Sequence, residues 1–269
     1  MAWLVIAETG IRSMLAKRVF VGLMLLAWLP FFGRAIAMYF AASMPQTPFV
    51  TPSAETFHSF LEQQGIFVFF VTVYGGAGLI ANDRRANALQ IYLSKPLTRT
   101  EYIFGKLSIL IVFLLLVTWV PAILLLFVQM MFAGNTTFLR NNVFLFPAIT
   151  VFSFIEVITV SVVMLALSSL SKSGRYVGIL YTGLFFFTTA LFGVLTFSTG
   201  AYRTRPGYGR PGVSWISLSA DLTQIGHAIF RLPPRYDSPW AVSCVAIALL
   251  VAASGLVLER RVRGVEVVS

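Results

Sequence analysis

Residues 107–133 read LSILIVFLLLVTWVPAILLLFVQMMFA, without one acidic or basic side chain. At about 1.5 Å of rise per residue, a helix of this length crosses the roughly 30 Å of bilayer hydrocarbon. A membrane-spanning strand would instead alternate apolar and polar side chains over about ten residues. The run is continuously apolar, which argues for a helix and against a β-barrel.

Working outward, five more stretches have the same character: about 19–42, 65–82, 143–171, 176–197 and 240–258. Arg34 and Glu156 are the only charged side chains among them. The whole chain of 269 residues is 58% apolar and 11% charged. Average soluble domains are about 25% charged, so a water-soluble fold of this size would have no means of hiding its apolar surface. The same excess excludes intrinsic disorder. The six spans take up at least half the chain and leave no separate soluble domain. The expectation is an all-α integral membrane protein, with residues 1–269 forming one transmembrane domain of six helices.

The net charge of +10 would suggest nucleic acid in a soluble protein. Its distribution suggests topology instead. With the N-terminus inside, the cytoplasmic segments hold Arg12, Lys17, Arg18, Arg84, Arg85, Lys95, Arg99, Lys106, Lys172, Arg175, Arg260, Arg261 and Arg263. The outer loops hold Arg140, Arg203, Arg205, Arg210, Arg231 and Arg235. That bias places both termini in the cytoplasm. The tyrosines and arginines of 202–210 then lie outside, in a solvated or headgroup-facing loop, and no nucleic-acid partner is expected. Residues 19–37 have signal-peptide features. Glu8, the helical pattern upstream and Arg34 beside the small-residue motif read them as an uncleaved first span.

Residues 1–18 form an amphipathic pattern. Trp3, Leu4, Ala7, Ile11, Met14 and Leu15 fall on one side, and Glu8, Thr9, Arg12 and Ser13 on the other, as in a helix lying in the membrane interface. The alternative is a simple inward extension of the first span. In the long outer loop, about 198–239, Trp215, Leu218, Leu222, Ile225 and Ile229 make a second apolar stripe. Asp221, Gln224, His227 and Arg231 oppose it, so an amphipathic outer helix is expected before the last span.

Few residues suggest chemistry. Cys244 is the single cysteine, and His58 and His227 are isolated in predicted outer loops. In the first of these loops, about 43–64, His58 and Glu62 share an i,i+4 helical face. Two ligands without a third read as a solvated surface helix, so no metal is expected. Gly75, Gly76 and Gly78 read as close helix packing. Glu156 sits well inside the fourth span. An intramembrane carboxylate faces a bundle interior or cavity and marks a proton or substrate contact by default. The plainer reading is a packing residue near Ser153 and Thr159.

Residues 79–106 read LIANDRRANALQIYLSKPLTRTEYIFGK. Leu79, Asn82, Ala86, Leu89 and Leu93 form one stripe that can pack on the bundle, with Arg84, Ala88, Ile91 and Lys95 opposite, on a face expected to meet water at the cytoplasmic surface. Pro96 stops that helix, and Thr98-Arg99-Thr100-Glu101 has the form of a capping box that starts the next. The chain lacks a G-x-x-x-x-G-K-[ST] phosphate loop, H-E-x-x-H and G-x-S-x-G. It is therefore not expected to be an enzyme or to hold a cofactor.

The sequence Asp83-Arg84-Arg85, Ala88-Leu89, Ser94-Lys95-Pro96-Leu97-Thr98-Arg99, Tyr102 and Gly105-Lys106-Leu107 resembles the inner loop between spans two and three of type-2 ABC exporter permeases. Asn87 and Ala88 depart conservatively from that pattern, and the six-span plan extends the likeness to the whole length. The resemblance implies a permease subunit of an exporter in the plasma (cell inner) membrane, surrounded by lipid and paired with a second copy or a homologous permease. Each permease would dock on a cytoplasmic ABC ATPase subunit, where ATP binds. The implied coupling region is 83–106, with Asp83, Arg84, Arg85, Ala88, Ile91, Lys95, Pro96, Leu97 and Arg99 as contacts and Glu8 and Arg12 as weaker ones. Two other classes stay open on the sequence. One is an ion-driven secondary transporter with Glu156 as proton carrier, and the other is a membrane scaffold without a pathway. The cargo is not legible.

Overall fold

Proline and the helix ends decide where the apolar runs bend. A computed structural model describes residues 2–43, 53–86, 98–133, 142–198 and 212–262. Helix α1 (Ala2–Leu15) is separated from the first span by Lys17, whose backbone is extended (φ −88°, ψ 110°). That span is two helices, α2 (Arg18–Ala27) and α3 (Leu29–Ser43), meeting at Trp28. Pro30 has no N–H to offer the carbonyl of Leu26, so the ladder breaks there. The second span starts at an N-cap, Ser53, whose hydroxyl accepts from the Thr56 N–H. It runs through α4 (Ala54–Val71), a π turn (Thr72–Gly76) and the short α5 (Ala81–Arg85).

The third span opens with a complete capping box, Thr98 with Glu101. It continues as α6 (Arg99–Val117) and α7 (Trp119–Ala133). Pro121 removes the bond to the Val117 carbonyl, and the Thr118 hydroxyl donates to Leu114 O at 2.9 Å beside the break. In α8 (Leu145–Leu170) Pro147 falls in the first turn, where no intrahelical partner is lost. The chain ends with α9 (Gly174–Ser198), a 3₁₀ turn (Ser214–Ile216), α10 (Leu218–Ile229) and α11 (Trp240–Arg261). No strand occurs among the described residues. Six helical segments are long and apolar enough to cross a membrane, and the fold is an all-α membrane protein.

Helix α8 is the centre, packed by α6, α7, α11 and the π turn. Glycine is required at one of these contacts: a Cβ on Gly76 would lie 2.5 Å from Met164 Cγ. In contrast, α9 and α11 leave large apolar side chains uncovered, with Ile179 70%, Phe187 68% and Leu249 65% exposed. Surfaces this apolar suit lipid or another apolar partner.

Three sequence expectations change in the structure. The second span is not confined to 65–82, because its helix begins at Ala54 and carries Phe57, Phe60 and Leu61 into the core. His58 is therefore not on a solvated helix but 1% exposed. The sequence left open what meets the polar side of α10, and the structure shows Asp221 and Gln224 buried there. Arg231, in the left-handed region at φ 57°, turns the chain back so that residues 232–239 cover it. Gln224 Nε2 donates to Tyr236 O (3.2 Å) and Ser238 O (2.7 Å), and Tyr236 N–H donates to Gln224 Oε1 at 3.1 Å. Finally, His58 and His227 are not isolated, since their rings lie 4.8 Å apart.

Candidate functional site

At the end of the bundle that carries α1 and α5, a polar node ties three spans together. Asp83 Oδ2 accepts from Tyr102 Oη at 2.7 Å and pairs with Lys106 Nζ at 2.7 Å. Tyr102 is fully buried, and Lys106 and Asp83 side chains are only 11% and 18% exposed. The Arg84 guanidinium donates to the Ser169 carbonyl near the end of α8. Ser168 Oγ accepts from the Ile80 and Ala81 N–H groups at 3.1 and 3.0 Å and donates to Ala77 O at 2.8 Å. This hydroxyl serves the backbone groups that the π turn leaves without helical partners. Spans two, three and four are thus joined at the base of the 83–106 segment.

The predicted contact residues divide at this node. Asp83 and Arg84 are engaged internally, and Arg84 is half-buried rather than facing water. Arg85 and Arg99 are exposed. Ala88, Ile91, Lys95, Pro96 and Leu97 lie outside the described residues. Glu8 and Arg12 pair with each other at 2.7 Å on the exposed side of α1. The other side of α1 rests on α6, where a Cβ on Gly105 would come within 3.0 Å of both Ile6 Cβ and the Trp3 carbonyl. Tyr102 and Lys106 belong to the family-like pattern, but only the fold reveals them as the partners of Asp83.

Deeper in the bundle, Glu156 lines a cavity of about 390 Å³ between α4, α8, α9 and α10. Its walls are apolar and aromatic: Phe69, Phe70, Phe152, Tyr181, Phe185 and Phe186. Phe69 stacks on Tyr181 at 5.8 Å between centroids. Glu156 is 6% exposed, and its Oε2 has no hydrogen-bond partner among the described residues. Ser153 and Thr159, the neighbours expected from sequence, give it no recorded bond. Glu62 and Thr223 close the far end of the same cavity, where the Thr223 hydroxyl donates to Glu62 Oε1 at 2.8 Å. A cavity of this size with few polar groups has the makeup of a small-molecule site.

Beyond Glu62 lie both histidines. His58 Nδ1 is 3.9 Å from Glu62 Oε2, and Arg235 approaches the same oxygen at 3.6 Å. His227 Nδ1 is 2.6 Å from the Pro233 carbonyl. Sequence reading paired His58 with Glu62 but had no signal for His227, which reaches them only through the packing of α10.

Six helical segments long and apolar enough to cross a membrane mark a multi-pass membrane protein. The chain matches the family described as ABC-2 family transporter protein over residues 4–235 and belongs to that family. Its members generally partner with ATPase subunits and form dimers. No curated protein matches the chain.

Proposed function

We propose that this chain is the permease subunit of an ATP-driven exporter in the plasma membrane, with both termini cytoplasmic. Two permeases face each other, as identical or homologous copies. Each couples through residues 83–106 to a separate cytoplasmic ATPase, which alone binds and hydrolyses ATP. The permease itself carries no catalytic site and no cofactor.

The observation that supports this reading is the node at Asp83. A loop that only reversed the chain would need few ordered contacts. Here the base of the segment is fastened to three spans at once, while Arg85 and Arg99 remain exposed. A partner gripping that exposed side moves spans two, three and four together. Spans two and four supply the walls around Glu156, so rocking of the node reshapes the cavity. We assign the cavity to the translocation path and Glu156 to a contact with cargo or with a proton.

The test is to purify the full chain from its own membranes under mild detergent and identify what accompanies it. A separately encoded protein with a G-x-x-x-x-G-K-[ST] loop, at a fixed ratio to the permease, is expected. Its absence, with transport retained in membranes stripped of all such proteins, would favour an ion-driven carrier that uses Glu156.

A further inference from the structure

We propose that His58, Glu62 and His227 form a transition-metal site, of the kind that takes Zn²⁺, clasping α10 to α4. The three side chains each offer one ligand atom, and these atoms all lie within 4.8 Å of one another. Two imidazoles and one carboxylate are a donor set that zinc takes in three-ligand sites, with a fourth position left open. Borderline nitrogen donors also favour such metals over Ca²⁺ or Mg²⁺, which take oxygen.

Features around the three residues fit a built site. The Pro233 carbonyl can only accept, so the hydrogen of His227 is on Nδ1 and the lone pair is on Nε2. Fixing the tautomer through a backbone carbonyl is how ligating histidines are commonly oriented. Glu62 is held in the same way, since Thr223 donates to its Oε1 and leaves Oε2 turned to His58. His58 is 1% exposed, yet its Nε2 has no hydrogen-bond partner among the described residues. That nitrogen lies against Gly226, so the one that faces Glu62 Oε2, at 3.9 Å, is Nδ1. The ring fits only because residue 226 is glycine: a Cβ there would stand 2.1 Å from His58 Nε2. Closing the triad around zinc needs its widest ligand separation to contract from 4.8 Å to about 3.3 Å, the edge of a tetrahedron with roughly 2.0 Å bonds. The half-exposed His227 and Glu62 make most of that movement, each pivoting about the hydrogen bond that orients it. Arg235 is the competitor. It sits at Glu62 Oε2 and, being 54% exposed, can swing into water when a cation arrives.

The experiment uses the full chain without an affinity tag, in lipid nanodiscs, stripped with EDTA and then titrated with Zn²⁺ alone. Stoichiometric Zn²⁺ by elemental mass spectrometry is expected, with a rise in the melting temperature and a visible absorption band when Co²⁺ replaces Zn²⁺. His227→Gln and Glu62→Gln should each weaken binding by at least about 10-fold and abolish the thermal shift. Both positions are half-exposed, so these variants keep the test open if the buried His58→Ala does not fold. Arg235→Gln should tighten binding, which a purely structural ion pair would not produce. Wild-type protein that takes up no stoichiometric Zn²⁺ at about 10 μM, an affinity well below that of structural zinc sites, overturns the proposal. So do His227→Gln and Glu62→Gln variants that bind as the wild type does, or an Arg235→Gln variant that binds more weakly.

Discussion

Asp83 and Lys106 meet at 2.7 Å across the base of the 83–106 segment, and the Tyr102 hydroxyl completes the carboxylate's shell at 2.7 Å. The pair is mostly screened from water, so removing one partner strands the other.

Lys106→Met is therefore expected to destabilise the protein by about 2–3 kcal/mol, short of the 3–5 kcal/mol seen when a fully buried pair loses a member. The double change Asp83→Asn with Lys106→Met removes both charges and should recover part of that loss, while Tyr102 keeps an acceptor. Thermal unfolding in nanodiscs measures both. Equal stability of Lys106→Met and wild type would mean the pair is only incidental.

Gly105 tests the seat of α1. Valine there would drive its Cβ toward Ile6 and the Trp3 carbonyl, and backbone does not yield as a side chain end does. A cost of about 1–3 kcal/mol is expected, concentrated in α1. Hydrogen exchange should show faster opening of residues 2–15 with α8 unchanged; uniform loss of protection would place the damage elsewhere.

Asp221 sets a pH dependence outside the spans. Burial beside α11 pushes its carboxyl from 3.8 up to about 6, against a smaller opposing effect of the Ser243 hydroxyl. The folded chain then holds this proton where the unfolded chain has released it. The folded state binds more protons between about pH 4 and pH 6, so the contribution to stability is fully present below that window and is lost as pH rises through it. Asp221→Asn should accordingly stabilise the protein at pH 8, by up to about 3 kcal/mol for a shift of roughly two units, and change little at pH 4. An identical difference at both pH values would rule out titration of Asp221 as the cause.

The spans were legible because lipid demands long, uninterrupted apolar helices, and residues 107–133 or 143–171 meet that demand in one dimension. The capping box at Thr98 and Glu101 was legible for a similar reason, being local chemistry at fixed spacing. Ser53 is a local start signal, but nothing local reveals that the helix it opens runs unbroken into the second span. His58 and Gln64 look hydrophilic on paper, yet the fold buries them, Gln64 by donating to the Ala27 carbonyl at 3.1 Å. What covers the polar side of α10 was not legible for the same reason, since its partners lie in the chain that returns after Arg231. Arg84 read as a solvent-facing charge because its acceptor is a backbone carbonyl, which has no sequence signature. Glu156 is the intermediate case. Its depth was readable, but the aromatic walls from α4 and α9 were not.

Glu156→Gln should leave folding unchanged, because the side chain volume is kept and Oε2 gives up no recorded bond. Transport should change, in rate or in pH dependence. If Gln and Leu at this position both support transport at the wild-type level, the residue serves packing alone and the cavity is not the path.

In the proposed mechanism the exposed side of the 83–106 base drives the bundle through the node. The most direct measurement uses Arg85→Glu with Arg99→Glu, purified together with the ATPase in proteoliposomes. Both side chains are exposed and hold none of the recorded bonds of the node, so the melting temperature should match wild type. The ATPase should no longer co-purify at the wild-type ratio, or its ATP hydrolysis should continue without transport. Co-purification at the wild-type ratio with transport at the wild-type rate would contradict it.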